Sequence, residues 1–207
     1  MKLFNSVIRL AMAGLLLWSC QSDSYKIKGY ARQFADGQTV TLALDDPPHR
    51  VLGKALIQQG HFMFSGTVDT TLLCRIYLPD EPLSGASFFL EPGTITIELH
   101  PYPVPTRVSG TELNNAWQQL NDSVQHLGHR LITLAQQSTA QHVPQRRQLA
   151  LTIDSLHRQL SAVIHDTGQR NRHNALGQYI IQNYKEPEFK WTRVLLLCSL
   201  ASSALRR

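Results

Sequence analysis

The sequence predicts an α+β protein: an N-terminal antiparallel β-sandwich or open barrel, then a helical hairpin and a short third helix. Three observations carry this reading. Up to Gly110, apolar residues alternate with polar ones at the period of a half-buried strand, as in Ile95, Ile97 and Leu99 against Thr94, Thr96 and Glu98. Beyond Gly110-Thr111, Leu113, Trp117, Leu120, Val124, Leu127, Leu131 and Leu134 recur at steps of four and three, which is a helical seam. Between the early runs lie Gly, Pro and Asp clusters, spaced as turns are in all-β folds.

The strands follow in order. Residues 25–34 open the fold, with Tyr25 and Ile27 on one face and Lys26 and Lys28 on the other. Asp36-Gly37 is a hairpin signal, answered by residues 39–44 with Val40, Leu42 and Leu44 on one side. Pro47-Pro48 marks a loop. Residues 51–58 form a weaker strand, and Gln59-Gly60 turns the chain into residues 61–65, where Phe62 and Phe64 point the same way. Residues 71–78 place Leu72, Cys74, Ile76 and Leu78 together; residues 79–85 read as a loop. Residues 87–90 and 94–99 read as a hairpin around Pro92-Gly93. Pro101, Pro103 and Pro105 hold a link extended, and residues 107–109 close the β part, which spans 25–110.

The helical region is 111–184. Thr111 suits an N-cap. Leu149, Ile153, Leu156, Leu160 and Val163 repeat the seam, so two helices pair as a hairpin. Gly128 lies off the seam, and Gly168 ends the hairpin. Residues 174–184 make the third helix, with Leu176, Tyr179 and Ile180 inward. After Pro187 the amphipathic period fails, and 185–207 reads as a loosely packed apolar tail or the remnant of a truncated frame.

The first nineteen residues read as a leader. Lys2 and Arg9 give a positive start to a short apolar run that ends in Ser19-Cys20. The run is too short for a bilayer span, which needs about 20 apolar residues. Its ending, Leu17-Trp18-Ser19-Cys20, resembles a bacterial lipobox, although Trp18 is larger than the residue usual there. That resemblance implies lipidation of Cys20, a tether over 20–24, and attachment to the cell envelope. Gln21 in place of Asp implies the outer membrane, on its periplasmic or outer face.

Several chemistries find no foothold. The formal charge of +5 includes Lys2 and Arg9 of the leader, and there is no basic stripe with interleaved aromatics, so nucleic acid is not an expected partner. Cys74 reads as a buried free thiol on a strand; whether it meets Cys198 depends on a Cα separation the sequence does not set. It has no helix start or cation beside it to lower its pKa. His126 and His129 sit three apart on a helix, but off the Leu seam and without a third ligand, so no metal is expected. There is no Gly-x-Ser-x-Gly elbow. Glu91 in a turn and Glu98 on a polar strand face read as solvated, and Tyr102 as part of a covering loop.

Four short motifs share one order along the chain. They are the 25–29 start, Gly60-x-Phe62-x-Phe64-x-Gly66, Leu90-Glu91-Pro92-Gly93 and Gly110-Thr111-x-x-Asn114. Together they resemble the DUF4369 domain of Bacteroidetes lipoproteins, a family of unknown function, over about residues 25–115. The resemblance implies a β-fold and an envelope location. In that family the domain often precedes a thioredoxin-like domain, which implies a link to thiol–disulfide exchange. This chain has no Cys-x-x-Cys, so no active-site residue carries over. The expectation is a non-catalytic envelope lipoprotein domain, binding or structural, with no cofactor and with the membrane and an envelope protein as partners. The alternative is a truncated or accessory member of a thiol–disulfide oxidoreductase system.

Overall fold

The strands fall into two open four-stranded sheets that enclose one core. The computed structural model describes residues 23–138 and 143–184. Cys20, Cys198, the leader and the 185–207 tail lie outside the described residues.

The strands are β1 (Ser24–Tyr30), β2 (Thr39–Leu44), β3 (Val51–Leu56), β4 (His61–Thr67), β5 (Leu72–Leu78), β6 (Glu81–Leu90), β7 (Gly93–Glu98) and β8 (Arg107–Ser109). The first sheet has the order β4-β1-β7-β8 and the second β3-β2-β5-β6. All neighbours pair antiparallel except β1 and β7, which run parallel. The alternating residues face where their period places them. Ile27, Phe64, Ile95, Ile97 and Val108 from one sheet meet Val40, Leu42, Cys74, Ile76 and Phe88 from the other. Each such buried side chain contributes about 1.5–3 kcal/mol relative to exposure.

Two expected hairpins are absent. Asp36-Gly37 does not pair β1 with β2, and Pro92-Gly93 does not pair β6 with β7; both turns carry the chain from one sheet to the other. Gly37 and Gly93 still supply the positive φ (87° and 119°) that such turns demand. Asp36 is used differently from a hairpin residue. Its carboxylate accepts the Gln59 and Gly60 amides at 3.0 and 3.2 Å, tying the β1–β2 turn to the β3–β4 turn. The expected loop at 79–85 is also mostly strand, since β6 begins at Glu81. Pro82 is tolerated because β6 is an edge strand with a register shift opposite Tyr77/Leu78.

Two of the sequence motifs, the 25–29 start and Gly60-x-Phe62-x-Phe64-x-Gly66, become one packing device between β1 and β4. Gly29 stands opposite Phe62, and Gly66 opposite Tyr25. A Cβ on Gly29 would lie 2.1 Å from the Phe62 ring, and one on Gly66 would lie 2.9 Å from the Tyr25 hydroxyl. Each glycine therefore leaves the space its partner's ring fills.

The helices are α1 (Glu112–Ser138), α2 (Val143–Arg170) and α3 (Ala175–Asn183). The predicted seam forms the core of the hairpin: Leu113, Trp117, Leu120, Leu127 and Leu131 of α1 pack with Leu156 and Leu160 of α2. Val124, Leu134, Ile153 and Val163 are partly buried, and Ile164, outside the predicted seam, is buried with them. Gly128 is buried too, although it was expected off the seam, and α2 runs two residues past Gly168. The start of α1 and the end of α2 line the same cleft, so the two helices run antiparallel. Asn174 caps α3 by accepting the Leu176 and Gly177 amides at 3.1 and 3.2 Å. Tyr179 of α3, Trp117 of α1 and Phe89 of β6 meet edge to face, with ring centroids 5.3–6.4 Å apart.

Helix α1 seals the side of the sandwich where the sheets end in β6 and β8. Asn114 is fully buried. Its Oδ1 accepts the Phe89 N–H at 2.9 Å and its Nδ2 donates to the Phe89 carbonyl at 2.7 Å. Trp117 Nε1 donates to the Ser87 carbonyl at 2.7 Å, and Gln118 Oε1 accepts the Val108 N–H at 2.7 Å. Replacing Asn114 with Ala should leave both Phe89 groups buried and unpaired, at about 1–3 kcal/mol each. Urea unfolding of N114A is expected to show a loss of roughly 2–5 kcal/mol with a single transition retained; a loss under about 0.5 kcal/mol would show that water replaces the amide.

Candidate functional site

Where the sandwich meets the helices, they enclose a cleft of about 1290 Å³. Two of the sequence motifs meet beside it, and Glu91 of the first lines it. Gly110, at φ 112°, brings α1 so near β7 that a Cβ there would lie 2.3 Å from the Thr94 carbonyl. Thr111 then caps α1, accepting the Asn114 N–H at 3.3 Å and the Asn114 side-chain amide at 2.9 Å. The Gly110 N–H donates in turn to Asn115 Oδ1 at 3.1 Å. The β6–β7 turn is thereby pressed against the start of α1, with Glu91 between them.

Glu91 was expected to be solvated, and it is so only in part. Its side chain is half-buried, and its Oε1 is shut from solvent without a hydrogen-bond partner. Burial pushes its carboxyl above the ordinary carboxylate range; a hydrogen bond with Thr111 opposes this and the neighbouring Glu112 reinforces it. The motif Leu-Glu-Pro-Gly reads as a turn from sequence, and nothing in its spacing shows that a helix cap lands on the glutamate.

The cleft is polar. The wall on α1 carries Asn115, Gln119 and Ser123; the wall on α2 and α3 carries Asp166, Arg170, Asn174 and Gln178. Carboxylates, a guanidinium and several amides face a shared space. Such a set can donate and accept hydrogen bonds to a polar ligand, and Glu91 adds a carboxyl that holds its proton to higher pH than usual.

Apart from Glu91, the residues singled out from sequence do not line the cleft. Cys74 is fully buried on the inner face of β5, free of any disulfide, and its thiol is pushed up to about 12 by burial and by the nearby Asp45. His126 and His129 are exposed on α1, as their position off the seam implied. Glu98 is exposed on β7. Tyr102 is half-buried, its N–H donating to Ser84 Oγ at 3.0 Å, which fixes the proline-rich link against β6. Among the described residues, no group of three or more His, Cys, Asp and Glu is placed to hold a metal ion.

A two-sheet sandwich closed by a helical hairpin defines the class. Within it, residues 25–117 match the model of a domain of unknown function, DUF4369. The matched span takes in the first turns of α1, including Thr111, Asn114 and Trp117. No curated protein and no solved structure matches the chain.

The raised pKa of Glu91 sets a sign for pH dependence. A carboxyl whose folded pKa lies above its unfolded value binds its proton more tightly in the native state, so its ionisation costs stability as pH rises through that range. E91Q should therefore be more stable than the parent at pH 7, and the gap should close as pH falls below the carboxylate range. Thermal unfolding of both proteins between pH 3 and 8 measures this; a parent more stable than E91Q at pH 7 would refute it.

Proposed function

We propose that this is a non-catalytic lipoprotein domain of the cell envelope, held at the outer membrane by acyl chains on Cys20, which binds or positions an envelope protein partner. The observation that carries it is the junction of leader and fold. The apolar run ends at Ser19-Cys20, and β1 begins at Ser24. That spacing suits a short tether between a lipidated cysteine and a folded domain. The resemblance of the sequence motifs to a domain of lipoproteins supports the same reading. The polar cleft beside Glu91 is the surface best suited to a partner's polar groups.

The burial of Cys74 favours this reading over membership of a thiol–disulfide system. Exchange begins with attack by a thiolate, and a buried thiol with a pKa of about 12 supplies almost none at neutral pH. Maleimide treatment of the native protein, followed by peptide mapping, should leave Cys74 unmodified until urea unfolds the chain. Rapid labelling in native buffer would instead favour a reactive thiol.

The anchor is tested by Cys20→Ala. The parent should enter the detergent phase of a Triton X-114 partition with Cys20 acylated and the leader removed. The variant should remain an unprocessed, unacylated precursor. Normal processing of the variant would sink the lipoprotein reading.

A further inference from the structure

The side of the sandwich away from the helices carries a different chemistry. Lys26, Lys28 and Lys54 are all the lysines among the described residues, and all of them line one groove of about 750 Å³ where β1 and β4 meet β3. No Asp or Glu lines that groove. Among the described residues none of these lysines enters an ion pair. Glu98, on the same sheet, stands opposite Arg107 in the β7–β8 register. Large apolar side chains are interleaved with the lysines. Met63, opposite Lys28, is 56% exposed, and Leu56 on the groove wall is 53% exposed.

We propose that this corner of the sandwich rests on an anionic lipid surface. The lysine ammonium groups meet headgroup phosphates, while Met63 and Leu56 enter the interfacial layer. Cations alone would suit any soluble anion. The exposed apolar residues between them, and the position of the groove along the chain, favour a bilayer. Lys26 follows Cys20 by six residues, a reach of at most about 20 Å of extended chain. The proposal rests on the lipid anchor of the preceding section, which would hold the groove beside the membrane. Each basic residue near an anionic surface is worth about fivefold in partitioning, and the effect falls off within a Debye length.

The test uses the full chain reconstituted into vesicles of phosphatidylcholine, with or without phosphatidylglycerol. Lysines are acylated with acetic anhydride, and the rate at each is read by mass spectrometry. Lys26, Lys28 and Lys54 should react about fivefold more slowly in the anionic vesicles, and 1 M NaCl should abolish the difference. The variant I181K adds a reporter lysine on α3, where Ile181 is exposed and the helices cover the opposite side of the sandwich. It should react equally in both vesicles. Equal rates at Lys26, Lys28 and Lys54 in both vesicles would overturn the proposal. So would an equal slowing of the reporter, or the same protection from soluble polyphosphate in neutral vesicles. The mass of the N-terminal peptide separates the two readings. Acylated Cys20 with unprotected lysines removes this proposal alone, whereas unmodified Cys20 with protected lysines removes only the anchor.

Discussion

The paired amide of Asn114 against the backbone of Phe89 is the contact on which the rest of the architecture depends. A sandwich of two open sheets has four edges, each with unpaired N–H and C=O groups that invite another strand. At β6 this chain answers with a side chain instead. The Asn114 carboxamide offers one acceptor and one donor in the plane of the sheet, as the next strand would. Trp117 and Gln118, one turn on, satisfy Ser87 and Val108 in the same way. A buried amide pair returns only about 1 kcal/mol per hydrogen bond when made, but costs more when broken, so its larger effect is to fix position. With Asn114 held, α1 has one register along the sheet, and Phe89 and Trp117 meet edge to face.

That register also determines the cleft. Thr111 serves both as the α1 cap and as a contact of Glu91, so the helix start and the β6–β7 turn share one hydrogen-bonded cluster. The α1–α2 hairpin then brings Asp166 and Arg170 over the same space, and the Asn174 cap fixes α3 behind them. The polar surface at this junction follows from closing the sandwich with an amphipathic hairpin. The inner seam is spent on core, and the flanking Asn, Gln and Ser are left lining the gap.

Much of the fold was legible in the sequence, because period and burial have the same cause. Ile27, Phe62, Phe64, Cys74, Ile76, Ile95 and Ile97 all face the core their alternation assigns, and the Leu113–Leu131 seam packs as its spacing implies. What was not legible was which strands pair. Asp36-Gly37 and Pro92-Gly93 encode reversal of the chain, and reversal is equally compatible with a hairpin and with a step to the facing sheet. The choice is made by long-range contacts such as Asp36 with the Gln59 amide, which leave no local signal. The burial of Glu91 is illegible for a related reason: the helix start packed beside it comes twenty-one residues later. Asn114, which closes the β6 edge, is in view as a motif letter, but it looks like an ordinary helix-start residue until Phe89 is placed beside it.

The two ends of the sheets face opposite physical demands, and this gives the domain a polarity. Edges β6 and β8 are buried under α1 by specific, directional hydrogen bonds. Edges β3 and β4, joined through a tight turn at Gln59-Gly60, keep Val51, Leu56 and Met63 exposed. Exposed apolar residues on an edge are a liability unless charge or cover intervenes. Here the lysines of β1 and β3 supply charge that repels a second copy of the same edge while attracting an anionic surface. The turn between those edges is tied to the β1–β2 turn by Asp36, which accepts the Gln59 and Gly60 amides, and Gly60 takes its φ of 71° there. The lysine-bearing groove lies along β1, β3 and β4, away from the β6 and β8 edges on which α1 packs.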